Sequence, residues 1–464
     1  MPAIASPPER TSAADSVGAV KDYIAANWAA VTHGPDENVL PVGTRALPTE
    51  GKIALPEAYI VPSAAYQPFQ MFFYWDTYFA CEGLLRSGQI ALARANADNF
   101  LYLIDLLGFV PNYNLWQDLD RSQPPVASLL VRAVYERTRN KEWLARAAAT
   151  LEKEHAFWMA SRCGPDGLNH YGSHSTPAQL ERFMQLVNQY DRIKHVPPGL
   201  FERTVFLRHL VAEAESGWDF TPRFGHRCTD HYATDLNGLL HRHELNQAWF
   251  CEELGDGRAA LWHERARVRR ESFNRLCWDD ESGLYFDYDY VLGRRSPLAT
   301  AATYWALWGG LASPAKAQRM ADALPLLERG HGLLTCQPDT VPRAQVYQWD
   351  APNAWPPLQF GAIAGLYNAG QIAAAQRLAS KYVTTVARNF VVSGNLWEKY
   401  NAVTGGVDVA EEYGSPPLMD WTAGTFLYAC AVLEEGELAR GVPQAPGKLH
   451  HVETSCNLAT RERD

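Results

Sequence analysis

Helical periodicity runs through most of this 464-residue chain and constrains its fold more than any other feature. Apolar residues recur at i, i+3, i+4 and i+7, the spacing that places them on one face of a helix. Divided at their turn signals, these segments predict about a dozen helices. The periodic segments cover residues 17–31, 90–108, 126–159, 201–216, 237–254, 258–278, 298–311, 314–327, 357–390 and 422–438.

Strand-like alternation of apolar and polar residues is rare and short, at residues 52–61 and 283–291. No fixed-period repeat is visible, which disfavours a solenoid of identical units. The sequence therefore predicts an all-α fold of paired helices, and a closed ring of helical hairpins, the (α/α)6 toroid, accommodates this number of irregular repeats. One folded domain is expected over residues 17–440, with flexible, polar, proline-containing segments at 1–16 and 441–464.

Charge and composition exclude several classes of function. The chain has 42 Lys+Arg against 52 Asp+Glu, and its dispersed basic residues form no patch for nucleic acid. It has no apolar run of about 18 residues that would predict a membrane span, and its N-terminus has no pattern of a secretory signal. The eight cysteines are scattered singly without metal-ligand spacing. Reduced thiols in a cytoplasmic protein, with no metal site, are expected.

Aromatic and polar residues are concentrated in the Pro- and Gly-rich joints between the predicted helices. Loops at one end of a rigid scaffold are a usual place for a functional site. Four joints carry a tryptophan directly before a carboxylate: Trp75-Asp76, Trp218-Asp219, Trp349-Asp350 and Trp397-Glu398. Sugar rings stack their apolar faces on tryptophan and hydrogen-bond to carboxylates, so the repeat indicates a carbohydrate ligand. For Asp76 and Asp350, helix capping and direct substrate contact remain open alternatives.

Two of these carboxylates have the surroundings that hydrolysis of a glycosidic bond requires. One carboxyl must hold a proton for the leaving oxygen, and an apolar, aromatic-walled site raises the pKa of such a group. The stretch "SGWDF" (216–220) predicts these surroundings for Asp219. The second carboxyl must stay ionised, and "LWEKY" (396–400) places Lys399 beside Glu398. Helix capping or a buried ion pair is the alternative reading for each.

The stretch "QWDAPNAWPP" (348–357) is the most distinctive motif of the chain. It matches almost residue for residue the signature of the trehalases, the inverting α,α-trehalose hydrolases of glycoside hydrolase family 37, which the chain resembles. Further matches follow in the family's order: "YWDTYF" (74–79), "PNYN" (111–114), "RSQPP" (121–125), "ESGWDF" (215–220), "WEKY" (397–400), "EEY" (411–413) and "DWTAG" (420–424). The stretch "YQPFQMFFYWDTYF" (66–79) is equally similar to the toroidal hydrolases of family 63.

The resemblance implies an (α/α)6 toroid with its site at the loop-rich end and no metal or organic cofactor. Asp219 would be the general acid, and Glu398 the general base that activates water. An inverting reaction implies roughly 6.5 to 9.5 Å between the two carboxyl groups. The implied substrate-binding positions are Phe69, Trp75, Asp76, Asn112, Arg121, Trp349 and Glu412, with Gln123, Trp218 and Asp350 beside them. The expected partner is a small carbohydrate, and no oligomeric state is indicated.

Three elements depart from the trehalase pattern. Pro68 stands where trehalases carry a substrate-binding arginine, and "KHVPPGLF" (194–201) replaces an Arg-Pro-Glu element. The glycine-rich run before the last Glu-Tyr has become "TGGVDVAEEY" (404–413). Proline cannot make the forked hydrogen bonds of arginine to hydroxyl groups. The departures affect the leaving-group subsite more than the predicted acid and base.

Several readings therefore remain for the substrate. Arg192, His195 and Arg223 are candidates to replace the missing arginines. The first substrate to expect is α,α-trehalose, and the alternative is another α-glucoside or an α-mannoside, such as a glucosylglycerate or a different disaccharide. A sugar-binding protein without turnover is a further alternative, against which the presence of both Asp219 and Glu398 argues.

Overall fold

The computed structural model describes residues 13–189, 196–339, 347–410 and 415–434, together with 193, 345 and 412. Most of these residues are helical, which confirms the all-α prediction. The helices are α1 Ala13–Asn27, α2 Tyr74–Arg86, α3 Ile90–Leu107, α4 Ala127–Thr138, α5 Lys141–Ser161, α6 Pro177–Gln189, α7 Leu200–Glu215, α8 Thr234–Leu254, α9 Ala259–Leu276, α10 Thr303–Gly309, α11 Pro314–Asp322, α12 Pro356–Asn368, α13 Ile372–Ser393 and α14 Asp420–Leu433.

Six of these helices form a closed inner ring. Each packs against the next in the order α2, α4, α8, α10, α12 and α14, and α14 packs back against α2. Helices α1, α3, α5, α9 and α13 pack on the outside of the ring, where α13, for example, contacts α1, α12 and α14. Inner and outer helices alternate along the chain, so the fold is the predicted (α/α)6 toroid. Helices α6 and α7 pack against each other beside the ring, over a small apolar core of their own.

Helix α12 is predominantly apolar on all sides because it is buried on all sides. Every residue of α12 from Pro356 to Leu366 is buried. The closest approach joins α2 and α14, where a Cβ atom on Gly424 would lie 1.7 Å from the carbonyl oxygen of Phe79. Gly424 and Phe79 both lie one turn into their helices. The two helices therefore begin side by side, at the same end of the ring.

The strands are short and link the loops. They are β1 Thr32–His33, β2 Tyr59–Ile60, β3 His231–Tyr232, β4 Trp278–Asp279, β5 Leu284–Tyr285, β6 Tyr288–Asp289, β7 Arg294–Arg295, β8 Glu328–Arg329, β9 Gly332–Leu333, β10 Asn353–Ala354 and β11 Tyr400–Asn401. The stretches predicted from alternation contain β2 in one case and β5 and β6 in the other. Antiparallel pairing of β10 with β11 joins the "QWDAPNAW" loop to the segment that follows Glu398.

Some sequence predictions are corrected by the structure. Trp75 and Asp76, assigned to a joint, lie in the first turn of α2, and α6 was not predicted. Helix α1 begins at Ala13, inside the segment predicted to be flexible, whereas residues 1–12 and the predicted C-terminal segment 441–464 lie outside the described residues. Of the seven cysteines that the structure describes, six are buried. Within the same residues, no helix combines the length and apolar character that crossing a bilayer requires.

Candidate active site

The predicted site residues gather where the inner helices begin. Asp76 lies in the first turn of α2, and the segments holding Gln123, Asp219, Trp349 and Glu398 precede α4, α8, α12 and α14 respectively. In a ring of helical hairpins the inner helices share one direction, so these segments lie at the same end. The N-terminus of a helix carries a partial positive charge. This end of the ring therefore favours negatively charged groups.

Asp219 lies on an irregular segment directly after α7. Its neighbours Trp218 and Phe220 are fully buried, whereas Asp219 is partly exposed. Gly217 has a φ of +78°, and a Cβ atom there would lie 2.6 Å from the ring of Trp75. Only glycine combines that backbone conformation with that contact. The aromatic neighbours anchor the segment in the core, and the carboxylate between them is left accessible.

The "QWDAPNAW" loop supports the Asp219 segment from the other side. The side-chain amide of Gln348 donates a hydrogen bond of 2.9 Å to the carbonyl oxygen of Asp219. The backbone N–H of Trp349 donates to the carbonyl oxygen of Phe220 at 3.2 Å. The peptide bond between Asp219 and Phe220 is cis. Backbone hydrogen bonds therefore hold this segment in place independently of the Asp219 side chain.

Glu398 is buried and charge-compensated. Its side chain is 1% exposed, and Lys399 Nζ lies 2.5 Å from Glu398 Oε2. The backbone N–H of Glu398 donates to the carbonyl oxygen of Pro416 at 3.2 Å, and the Trp421 indole N–H donates to the Glu398 carbonyl oxygen at 3.0 Å. A buried carboxylate is tolerated only with a partner of opposite charge and further hydrogen bonds. The ion pair inferred from "LWEKY" is therefore present.

A series of stacked contacts connects the two loops that carry the predicted acid and base. Lys399 Nζ lies 4.7 Å from the centre of the Trp355 ring. Trp355 stacks on Trp349 at 3.8 Å between ring centres, and Trp349 stacks on Trp218 at 5.7 Å. The guanidinium of Arg223 lies 4.5 Å from the centre of the Trp218 ring. Because aromatic rings pack without flexible side-chain torsions between them, this series restrains the separation of the two loops.

Arg223 is committed to this scaffold and not to a sugar. It is 1% exposed and makes two-pronged ion pairs, with Asp287 at 2.7 Å and with Asp235 at 2.8 Å. Burial works to raise the pKa of Asp287, but Arg223 and Thr234 hold that pKa below its ordinary value. The prediction that Arg223 replaces a missing sugar-binding arginine is therefore wrong. The other two candidates, Arg192 and His195, lie outside the described residues.

Arg223→Met is expected to destabilise the protein strongly, because it leaves Asp235 and Asp287 buried without their cation. The expected loss in free energy of unfolding is about 3–5 kcal/mol, measured by urea denaturation. Arg227→Met is the matched control, since Arg227 also contacts two aspartates but is 34% exposed. That change is expected to cost less than about 1 kcal/mol. Equal losses in the two variants would contradict the assignment of Arg223 to the buried scaffold.

Three of the predicted binding residues are held by backbone contacts. Gln123 Oε1 accepts a hydrogen bond from the Trp75 backbone N–H at 3.0 Å. Asn112 Nδ2 donates to the carbonyl oxygens of Ser122 and Ala214, both at 3.2 Å. The Trp75 ring packs against the rings of Trp349 and Trp421, with 5.8 Å and 6.3 Å between ring centres. These residues form the packed floor of the site.

Arg121 is the buried cation that faces the predicted acid. Its Nη1 donates to Asp120 at 2.8 Å and its Nη2 to the Tyr113 hydroxyl at 3.3 Å, while its Nε has no hydrogen-bond partner among the described residues. Burial works to lower the pKa of Arg121, but the surrounding acidic groups, Asp219 among them, raise it above its ordinary value. Arg121 therefore keeps its positive charge and has a donor to spare.

The remaining predicted residues are Phe69, Asp350 and Glu412. Phe69 contacts Phe73 edge to face, with 6.0 Å between ring centres. Asp350 Oδ1 accepts a hydrogen bond from the Ala351 backbone N–H at 2.7 Å, which is a contact typical of an aspartate in a turn. Glu412 is partly buried, and its neighbours 411 and 413 lie outside the described residues.

Four carboxyl groups come together at the centre of this end of the ring: Asp76, Asp219, Glu398 and Asp420. Burial, and then the negative charges of Asp420, Glu398 and Asp219, raise the pKa of Asp76 well above its ordinary value. Burial and the charge of Glu398 raise the pKa of Asp420 to about 7. Among the described residues, no group of His, Cys, Asp and Glu is arranged to hold a metal ion.

Sequence reasoning missed Asp420 as a member of this cluster. The residue lies in "DWTAG", a stretch that supported the family resemblance without any role for its aspartate. A signal was present, because Asp420 directly precedes a tryptophan at the start of a helix and so repeats the aromatic-carboxylate theme in reverse order. Helix capping accounts for such an aspartate equally well at the level of sequence.

The toroid of paired helices is also found in solved structures that are similar to most of the chain. Neutral trehalase Nth1 from Saccharomyces cerevisiae is 24% identical with a TM-score of 0.74, covering 91% of this chain and 95% of that one. The family 63 mannosylglycerate hydrolase from Thermus thermophilus is 19% identical with a TM-score of 0.57, covering 80% and 95%. An uncharacterised conserved protein from the same organism is 18% identical with a TM-score of 0.58, covering 88% and 99%.

The sequence itself assigns the family. The sequence profile of the trehalase family matches residues 11–428, which is most of the chain. The protein therefore belongs to the trehalase family and is a glycoside hydrolase.

Proposed function

We propose that this protein is an inverting hydrolase of an α-glucoside, with α,α-trehalose as its first substrate. Asp219 is the general acid and Glu398 the general base. The observation that carries the proposal is their convergence: residues from two distant loops both lie close enough to Asp76 for their charges to raise its pKa. One is partly exposed between buried aromatics and the other is ion-paired to Lys399. The pair thus combines an accessible acid with a charge-stabilised base.

In the proposed reaction the two carboxyl groups act on opposite faces of the sugar. Asp219 donates its proton to the glycosidic oxygen as the bond from that oxygen to the anomeric carbon breaks. Glu398 removes a proton from a water molecule whose oxygen attacks the anomeric carbon from the other side. The products are one β-configured sugar and the released alcohol. Asp219 ends deprotonated and Glu398 protonated, and exchange with solvent restores both groups.

The surrounding residues position the substrate for this reaction. Arg121 has an unused Nε donor and a positive charge beside Asp219, which suits binding of a sugar hydroxyl near the cleaved bond. Trp75, Trp218 and Trp349 pack beneath the carboxylates, and we assign them to the floor that excludes water. Direct substrate contact stays a prediction for the other positions, which are Phe69, Asn112, Gln123, Asp350 and Glu412.

The leaving group is the part of the substrate that remains open, and a second candidate is favoured by one observation. Arg223 is held by two buried aspartates, and Pro68 is exposed in a short helical turn, so neither supplies the guanidinium that trehalases use. The same chemistry on another α-glucoside, or on an α-mannoside such as a sugar linked to a small hydroxy acid, is therefore the alternative. A cytoplasmic location stays a prediction, supported by the buried cysteines.

Substrate and stereochemistry are tested together by product analysis. The purified protein is incubated with trehalose, glucosylglycerate, mannosylglycerate and other α-linked disaccharides, and the released sugar is followed by proton NMR within the first minutes. We expect equal early amounts of β- and α-glucose from trehalose, because single displacement inverts only the attacked anomeric carbon and the leaving glucose keeps its α configuration. From an α-glucoside whose leaving group is not a reducing sugar, the β-anomer should appear first. Early release of the α-anomer alone would contradict the inverting mechanism. Cleavage of the α-mannoside alone would contradict the α-glucoside assignment.

A further inference from the structure

Asp420 and Asp76 are neighbours because their two helices begin together. Asp420 is the first residue of α14 and Asp76 lies in the first turn of α2. These helices are in direct contact one turn further on, where a Cβ atom on Gly424 would lie 1.7 Å from the carbonyl oxygen of Phe79. Such a close approach brings the first turns of the two helices together. The two carboxyl groups are therefore held side by side by the backbones of two inner helices.

Hydrogen bonds also tie the start of α14 to the loop of the proposed base. The Trp421 indole N–H donates to the Glu398 carbonyl oxygen at 3.0 Å, and the Thr422 hydroxyl donates to the Trp397 carbonyl oxygen at 2.7 Å. These bonds hold the start of α14 against the segment that carries Glu398. The position of Asp420 within the site is therefore set by the backbone and does not depend on its own side chain.

One oxygen of the Asp76 side chain lacks a partner in this arrangement. The residue is 7% exposed, and its Oδ2 atom has no hydrogen-bond partner among the described residues. Asp420 is 1% exposed, and its Oδ1 accepts a hydrogen bond from the backbone N–H of Trp421. A buried polar atom without a partner costs free energy until a ligand supplies one. Two adjacent buried carboxyl groups are also costly when both are ionised, and sharing one proton relieves that repulsion.

We propose that Asp76 and Asp420 share one proton and together bind two neighbouring hydroxyl groups of the sugar whose glycosidic bond is cleaved. The ionised carboxylate accepts a hydrogen bond from one hydroxyl, and the protonated carboxyl donates to the other. A hydroxyl group both donates and accepts, so an adjacent pair of hydroxyls complements an adjacent carboxylate and carboxyl. Asp420 thereby becomes a substrate-binding residue. The inference rests on the proposed glycosidase function of the same site.

The charges that face the pair support the shared proton. Two elements bring charged groups close to Asp420. Helix α2 contributes Asp76, and the loop before α14 contributes Glu398 with its ion-pair partner Lys399. Helix α12, which also packs on α14, contains no Asp, Glu, Lys, Arg or His, and α13 contributes the buried Tyr382 near Thr422. Burial and the Glu398 charge raise the pKa of Asp420 to about 7. The charge of Asp420 in turn raises the pKa of Asp76, so the pair keeps one proton after Asp420 ionises near pH 7.

The first test measures binding of D-glucose, a product of the proposed reaction, by calorimetry. Asp420→Ala is expected to weaken glucose binding by about tenfold or more, because hydrogen bonds to buried charged groups are lost. Asp408→Ala is the control, since Asp408 is exposed and hydrogen-bonds to Thr404. Unchanged melting temperatures establish that the variants are folded. Glucose affinity within about threefold of wild type in Asp420→Ala would overturn the proposal, whereas absence of glucose binding by the wild type would contradict the α-glucoside assignment on which the proposal rests.

The second test isolates the proton. Wild-type affinity for glucose is expected to increase as pH rises from 6 to 8, because the pair reaches the singly protonated state that binds the sugar when Asp420 loses its proton near pH 7. Asp420→Asn keeps a side chain of the same shape that does not titrate, so its affinity is expected to stay flat over this range. Asp219 and Glu398 are unchanged in both proteins, so the comparison isolates the substitution at residue 420. An identical pH dependence in wild type and Asp420→Asn would overturn the shared proton.

Discussion

Asp219→Asn is expected to lower kcat on the best natural substrate by about 10³-fold or more. The amide cannot transfer a proton to the glycosidic oxygen, so the sugar must leave as an unprotonated alkoxide. Steady-state kinetics on the purified variant measure the effect. Because the Asp219 segment is held by backbone hydrogen bonds and by buried Trp218 and Phe220, the substitution should leave the melting temperature close to that of the wild type.

A substrate whose leaving group needs no proton distinguishes the acid from other roles. Fluoride departs as a stable anion, so α-glucosyl fluoride should be hydrolysed by Asp219→Asn at a rate within about tenfold of wild type. The same isosteric change at exposed Asp408 is the control and should affect neither substrate. Equal losses on the fluoride and on the natural substrate would show that Asp219 is not the proton donor.

Glu398→Gln is expected to lower kcat by about 10³-fold or more on both substrates, natural and fluoride. Water must be deprotonated as it attacks, whatever the leaving group is, so an activated substrate does not restore the rate. The ratio of the two losses, measured in parallel with those of Asp219→Asn, assigns one residue to each role. Loss on the natural substrate alone would contradict the role of Glu398 as base.

An added nucleophile gives the complementary result for Glu398→Gln. Azide is an anion with no proton to lose, so it needs no base. It can attack the anomeric carbon of α-glucosyl fluoride directly and expel fluoride. We expect β-glucosyl azide to accumulate with Glu398→Gln and not with Asp219→Asn. Formation of the α-azide would mean that attack occurs on the face of the departing group, and the inverting geometry would be rejected.

The fold was predictable because its determinants are local in sequence. Periodic apolar positions specify helices one at a time, and alternation of such helices allows few architectures besides a ring or a bundle. Boundaries were less predictable, as Trp75 and Asp76 illustrate: the aromatic run "QMFFYWDTY" has no capping signal, and the structure shows no side-chain cap at the start of α2. The first N–H groups of α2 instead donate to remote residues, Tyr74 to the Asn112 carbonyl oxygen and Trp75 to Gln123 Oε1, and no local pattern encodes these contacts.

The candidate site divides in the same way. Asp219 and Glu398 were identified from their immediate neighbours, because two buried aromatics and an adjacent lysine surround them in the sequence as well as in space. Arg223 was misread for the opposite reason. Its partners Asp235 and Asp287 belong to no motif and are distant from it in sequence. No sequence pattern therefore predicts that Arg223 forms two buried ion pairs.

Short-range patterns in the sequence were enough to identify the helical class, the family and the two carboxylates proposed for catalysis. Each of these depends on residues that are close together along the chain. Only the folded chain brought Asp420 beside Asp76, committed Arg223 to two buried aspartates, and linked the loops of Asp219 and Glu398 through a stack of tryptophans. The cause is that ring closure joins α14 to α2, which lie near opposite ends of the chain. Electrostatic and packing contacts depend on distance in space, which residue spacing along the chain does not record.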